Sequence, residues 1–131
     1  MQNNQLKQLI DTSSRIILKV GSSLLINENN NDINYHWLKN FSKEIQSLTD
    51  KKKQIMIVSS GSVALGRKQL NLVKNLSLDE KQAAAAVGQI HLSHAWKEVL
   101  KSFNLESAQI LLAPDDTETR RKHLNARATL L

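Results

Sequence analysis

The sequence has no cysteine, a single proline and few aromatic residues, with one tyrosine, two tryptophans and two phenylalanines among 131 residues. The absence of cysteine excludes disulfides and thiolate metal ligands, and it is typical of a reducing compartment. There is also no apolar run near the ~20 residues of a membrane span and no signal-like start. We therefore expect one globular domain, located in the cytoplasm, with no membrane contact.

Acidic residues are scarcer than basic ones, 12 against 18, so the formal net charge is +6. This excess makes a polyanion one class of partner to consider. The basic residues are scattered, however, apart from residues 51–53 and 120–122. The aromatic residues occur in helical patterns, which favour a core over exposed stacking platforms for bases. We expect no nucleic-acid binding.

Short apolar runs alternate with helical patterns along the chain. Residues 15–20, 54–58 and 108–112 predict three strands, the last closed by Pro114. Helices are predicted over 37–48, after Gly61, over 79–103 and over 117–131, and Gly88 within the long helix indicates either a kink or close approach of another backbone. Residues 1–14 are expected to be a loose tail or a short helix, and 27–34 an exposed connection. This alternation predicts an α/β fold with a parallel sheet and helices on its faces.

The first two strands both end in small residues. Residues 15–20 are followed by Gly21, Ser22 and Ser23, and residues 54–58 are followed by 59–62, which read Ser-Ser-Gly-Ser. The carboxyl ends of parallel strands meet at one sheet edge, where free backbone N–H groups and helix N-termini favour anions. The pattern predicts a phosphate site there, with Lys19 as its positive charge. The second turn is also compatible with an ordinary strand-to-helix connection capped by serine, and both interpretations can hold together.

The sequence does not favour three other kinds of site. Asp115 and Asp116 are formal Mg²⁺ candidates, but capping of the helix that starts near residue 117 explains them better. His91 and His94 are three residues apart on one predicted helix, yet two ligands without a third favour a solvated or packing role over zinc. A serine-hydrolase interpretation fails because no Gly-x-Ser-x-Gly sequence is present. We assign no metal ligand.

The sequence resembles the amino-terminal half of kinases of the amino-acid kinase family in four segments, in the same order. These are residues 19–23, 58–66, 81–89 and 124–127. The resemblance covers most of residues 15–131. It implies a three-layer α/β/α sandwich with a mainly parallel sheet, homo-oligomeric assembly, and ATP-dependent phosphorylation of the L-glutamate side-chain carboxylate, the first step of proline biosynthesis. ATP and Mg²⁺ are the implied cofactors, and L-glutamate is the implied substrate.

The resemblance also implies residue roles. Lys19 would stabilise the transferred phosphoryl group, Gly21, Ser22 and Ser23 would line the phosphate path, and Ser60 would bind glutamate beside Gly61. The family's nucleotide-binding half does not occur in these 131 residues, so we expect residues 15–131 to be the amino-terminal part of a truncated kinase domain. Two functional hypotheses remain: a glutamate-phosphorylating kinase, or a catalytically inactive fragment that is a remnant or depends on a partner.

Overall fold

The computed structural model describes residues 2–27, 29–73, 75–113, 116 and 118–130. Its helices are α1 (Gln2–Thr12), α2 (Ser22–Leu25), α3 (Tyr35–Asp50), α4 (Ser62–Gln69), α5 (Leu78–Ser102) and α6 (Arg120–Leu130). Its strands are β1 (Arg15–Val20), β2 (Ile26–Asn27), β3 (Asp32–Ile33) and β4 (Gln54–Ser59). In this part of the chain, no helix has the length and apolar character that crossing a membrane requires.

Strands β1 and β4 pair in parallel, in a register that runs from Arg15 opposite Gln54 to Val20 opposite Ser59. Helix α3 connects them, as a parallel crossover requires. At the start of the pair, the Arg15 guanidinium donates two hydrogen bonds to the Gln54 side-chain oxygen, at 2.8 and 3.0 Å. The predicted α/β class with a parallel sheet is confirmed.

The predicted third strand is wrong for this structure. Residues 108–112 form no strand pairing, and the side chains of Ile110, Leu111 and Leu112 are exposed. An apolar run favours a strand only when a neighbouring strand supplies the hydrogen bonds, and composition alone cannot provide that neighbour. Within the described residues, the parallel sheet therefore has two strands.

The connection after β1 is also more structured than its turn-forming residues predicted. Strands β2 and β3 form a short antiparallel pair in which Ile26 lies opposite Ile33. Both isoleucines are buried in the main core. The asparagines around them supply local turn bonds, such as the one from the Asn29 N–H to the Asn27 side chain. The segment that we expected to be wholly exposed therefore contributes apolar area to the core.

The core lies between helices α3 and α5 and one face of the parallel strands. Val20 comes from β1, Leu38 and Ile45 from α3, and Leu92 and Trp96 from α5. The ring of Phe41, on α3, lies edge-on to that of Trp96, with centroids 6.1 Å apart. Helix α5 begins with a capping box, in which Ser77 and Glu80 satisfy each other's backbone N–H groups. The long helix is thus defined both locally and by its packing.

Helices α4 and α5 approach each other closely through two glycines. A Cβ atom on Gly66 would overlap the Ala84 carbonyl oxygen, and one on Gly88 would overlap the Ser62 carbonyl oxygen. Of the two alternatives predicted for Gly88, a kink or close approach of another backbone, the structure shows the close approach. Because both contacts involve backbone atoms, the start of α4 is held at a fixed position against α5.

Candidate functional site

The parallel register brings the two predicted turns together at one edge of the sheet. Lys19 lies opposite Val58, and Val20 lies opposite Ser59. One residue later, the Ser60 N–H donates a hydrogen bond to the Val20 carbonyl at 3.0 Å. The β1–α2 turn and the β4–α4 turn are therefore adjacent, as the sequence predicted for two parallel strands.

The first turn is open to solvent. Gly21 has φ −74° and ψ 155°, an extended conformation, and its carbonyl accepts the Leu24 N–H at 3.2 Å. A Cβ atom on Gly21 would meet only the Ser23 hydroxyl oxygen, at 3.9 Å. Lys19, Ser22 and Ser23 are all exposed. One ammonium group and two hydroxyl groups are thus accessible to a ligand at this edge.

The second turn requires its glycine for two reasons. Gly61 has φ +122°, a region that side-chain-bearing residues rarely adopt. A Cβ atom there would also lie 3.0 Å from Ile26 Cγ1 and 3.9 Å from Ser22 Cβ. The atoms nearest to that position belong to the Ile26 side chain. The same contacts place Gly61 beside Ser22, so the two turns meet.

An ion pair ties the β2–β3 hairpin to α4 behind this edge. The Lys68 ammonium donates a hydrogen bond to Asp32 Oδ2, and the Ile33 N–H donates to Asp32 Oδ1 at 2.8 Å. These hydrogen bonds, that of Lys68 first, lower the pKa of Asp32 below its usual range. Since Ile26 pairs with Ile33, the ion pair supports the strand against which Gly61 packs.

Sequence reasoning missed Trp96, which reaches the second turn from α5. Its indole N–H donates a hydrogen bond to the Ser59 hydroxyl at 3.0 Å. The available signal was the spacing of Ala84, Gly88, Leu92 and Trp96, which repeats every four residues and places them on one helix face. That face packs against α4 and the end of β4.

The sequence offered Asp115, Asp116, His91 and His94 as formal metal candidates. The described residues contain no group of three or more His, Asp or Glu side chains that could hold a metal. Asp116 accepts the Ala113 N–H at 2.7 Å, whereas Asp115 and residue 117 lie outside the described residues. His91 and His94 are exposed, and His94 Nδ1 lies 3.5 Å from a Glu98 carboxylate oxygen.

The parallel strand pair, its α3 crossover and the small-residue turns at one edge define an α/β protein with a polar strand-end cluster. The sequence profile of the Amino acid kinase family matches residues 14–131. Because this match covers nearly the whole chain, the chain belongs to that family.

Several curated relatives are named glutamate 5-kinase. The chain is 46% identical to the one from Paramagnetospirillum magneticum over 118 residues, which is 90% of this chain and 32% of that protein. It is 46% identical to the one from Gluconobacter oxydans and 49% identical to the one from Rhodopseudomonas palustris strain BisB5, in each case over 88% of this chain and 31% of the relative. The chain thus spans about a third of the length of these relatives.

Proposed function

We propose that this chain forms the glutamate- and phosphate-binding strand ends of a glutamate 5-kinase, which uses ATP to phosphorylate the side-chain carboxylate of L-glutamate. Family membership and identities of 42% to 49% with relatives of that name support the proposal. The observation that carries it is the adjacency of the two turns, held by the Ser60 to Val20 hydrogen bond. A transfer reaction requires its donor and acceptor groups to lie side by side. The two turns proposed to bind these groups are adjacent.

In the proposed reaction, a carboxylate oxygen of glutamate attacks the γ-phosphorus of ATP. An oxygen–phosphorus bond forms while the bond to the ADP oxygen breaks, giving an acyl phosphate and ADP. Phosphoryl transfer depends mainly on positioning and on stabilising negative charge. Lys19 is the proposed source of positive charge, and its exposure at the strand end leaves it free to reach an anion.

The remaining residues have binding roles in this proposal. Gly21, Ser22 and Ser23 line the path of the phosphate, where backbone N–H and hydroxyl groups can donate hydrogen bonds. Ser60, exposed directly after β4, binds glutamate, and Gly61 sets the direction of the turn. Mg²⁺ would accompany ATP, and we assign none of these residues as its ligand. Homo-oligomeric assembly, a cytoplasmic location and a place in proline biosynthesis remain part of the proposal.

A second hypothesis is that these 131 residues have no activity alone and act only with further polypeptide. The outer face of the parallel pair supports it. Ile17 and Val58 lie on that face, since side chains alternate along a strand, and they are 63% and 49% exposed. Apolar area of this kind is commonly covered by another segment or chain.

The test is ADP release from MgATP by the purified chain, with and without L-glutamate, with hydroxylamine added to trap an acyl phosphate. We expect any glutamate-dependent turnover to fall at least about a hundredfold in Lys19→Ala, the loss typical of one charge-stabilising group. Lys97→Ala, on the exposed surface of α5, is the matched control and should retain wild-type turnover. Equal turnover in the two variants would reject the role of Lys19. A folded wild type that binds L-glutamate but releases no ADP would favour the second hypothesis. One that does not bind L-glutamate would reject glutamate binding by this chain on its own.

A further inference from the structure

Among the described residues of α5, Trp96 is the one that forms a hydrogen bond with the end of β4. Trp96 is only 7% exposed, and the indole N–H of a buried tryptophan needs a hydrogen-bond partner. The Ser59 hydroxyl is that partner, at 3.0 Å. Ser59 lies 37 residues away in sequence and directly precedes the proposed glutamate ligand, Ser60.

The hydrogen bond continues into the turn. Ser59 Oγ, which accepts from Trp96, itself donates a long hydrogen bond of 3.4 Å to the Ser60 carbonyl oxygen. The Ser60 N–H is held on the other side by the Val20 carbonyl. The peptide groups around Ser60 are therefore restrained from β1 and, through Ser59, from α5.

The same helix face also holds the far side of the turn. Gly88, two helical turns before Trp96, packs directly against the Ser62 carbonyl. Helix α5 thus contacts the residue before Ser60 and the residue after Gly61. The Trp96 ring is itself fixed, because it packs edge-on against Phe41, which stacks on Trp37 at a centroid distance of 4.7 Å.

We propose that Trp96 is a positioning residue for the glutamate-binding turn: its indole N–H, acting through the Ser59 hydroxyl, sets the orientation of the Ser60 and Gly61 peptide groups. This inference rests on the proposed function for the identity of the ligand but not for the geometry. A purely structural tryptophan would be replaced by phenylalanine at a cost in packing alone. If the tryptophan positions the turn, its replacement also changes the orientation of the Ser60 and Gly61 peptide groups. That change should not occur when Ser59 has already lost its hydroxyl.

The experiment compares Trp96→Phe, Ser59→Ala and the double variant in the ¹⁵N-labelled chain. Trp96→Phe keeps an aromatic ring and removes the N–H. We expect it to shift the Ser60 and Gly61 amide resonances, and to add no further shift when Ser59 is already alanine. Trp37→Phe is the matched control, since it alters the same ring stack from α3. Ser59→Thr retains the hydroxyl. In that background, Trp96→Phe should shift the Ser60 and Gly61 amide resonances as it does in the wild type.

Ligand binding provides the second measurement. L-glutamate, titrated into the same samples, should bind about fivefold more weakly to Trp96→Phe and to Ser59→Ala, the effect of one neutral hydrogen bond, and equally well to wild type and Trp37→Phe. The positioning role is overturned if Trp96→Phe moves the turn amides no more than Trp37→Phe does, or if its effect persists in full in the Ser59→Ala background. Absence of L-glutamate binding to the wild type would instead reject glutamate binding by this chain on its own, while the amide shifts would still decide the role of Trp96.

Discussion

The packing of α4 on α5 makes a prediction in which tertiary contact opposes helix propensity. Gly88 lies in the middle of a 25-residue helix, where replacing glycine by alanine ordinarily stabilises by about 1 kcal/mol. The structure reverses the expected sign. A methyl group on Gly88 would lie 2.6 Å from the Gly66 nitrogen and 2.7 Å from the Ser62 carbonyl carbon, and it would overlap the Ser62 oxygen.

The magnitude follows from these distances. Ordinary contact begins at 3.4 Å and the Ser62 oxygen would lie 1.8 Å from the added Cβ atom, so the two helices must separate by about 1.6 Å at this contact. Backbone atoms cannot rotate out of the way as a side chain can. Overpacking of this kind costs about 1–3 kcal/mol. Clashes with backbone atoms correspond to the upper end of that range, about 3 kcal/mol. Alanine gains about 1 kcal/mol in helix propensity. We therefore expect Gly88→Ala to lower the free energy of unfolding by about 2 kcal/mol.

The assay is equilibrium denaturation in urea, followed by far-ultraviolet circular dichroism. Gly21→Ala is the control, because Gly21 has negative φ and an added Cβ would meet nothing closer than 3.9 Å. It should remain within about 1 kcal/mol of wild type. A Gly88→Ala protein as stable as wild type, or more stable, would refute the proposed close packing of the two helices.

Two further predictions concern stability. Ser42 is fully buried on α3 and, among the described residues, its hydroxyl has no hydrogen-bond partner. Ser42→Ala should therefore raise the free energy of unfolding by about 1 kcal/mol in the same urea assay. A loss of stability would show that the hydroxyl has a hydrogen-bond partner. The lowered pKa of Asp32 means that its pairing with Lys68 contributes at neutral pH and is lost as the carboxylate takes up a proton, below about pH 4. Because both side chains are about half exposed, we expect Asp32→Asn to lower the free energy of unfolding by less than about 1 kcal/mol at pH 7. The decrease should be smaller at pH 3 and in high salt. An effect that grew on acidification would contradict this sign.

Local patterns in the sequence were sufficient for the elements that build the sheet edge. The apolar run 15–20 is β1, and the alanine-rich segment is α5 within one residue at each end. Such patterns report which residues can be buried on one face of a strand or helix. The four motif segments were sufficient for the family, which the profile match to residues 14–131 confirms. The roles of Lys19, Ser60 and their neighbours stay predictions.

Pairing and contact between distant residues were decided by the tertiary structure. The sequence could not show that residues 108–112 lack a strand partner, that Ile33 is buried, or that Gly61 packs on Ile26. Nor could it show that Trp96 bonds Ser59. The physical reason is the same in each case: propensity and periodicity act over one or two turns of chain, whereas a hydrogen bond or packing contact across dozens of residues depends on how complete elements fit against each other.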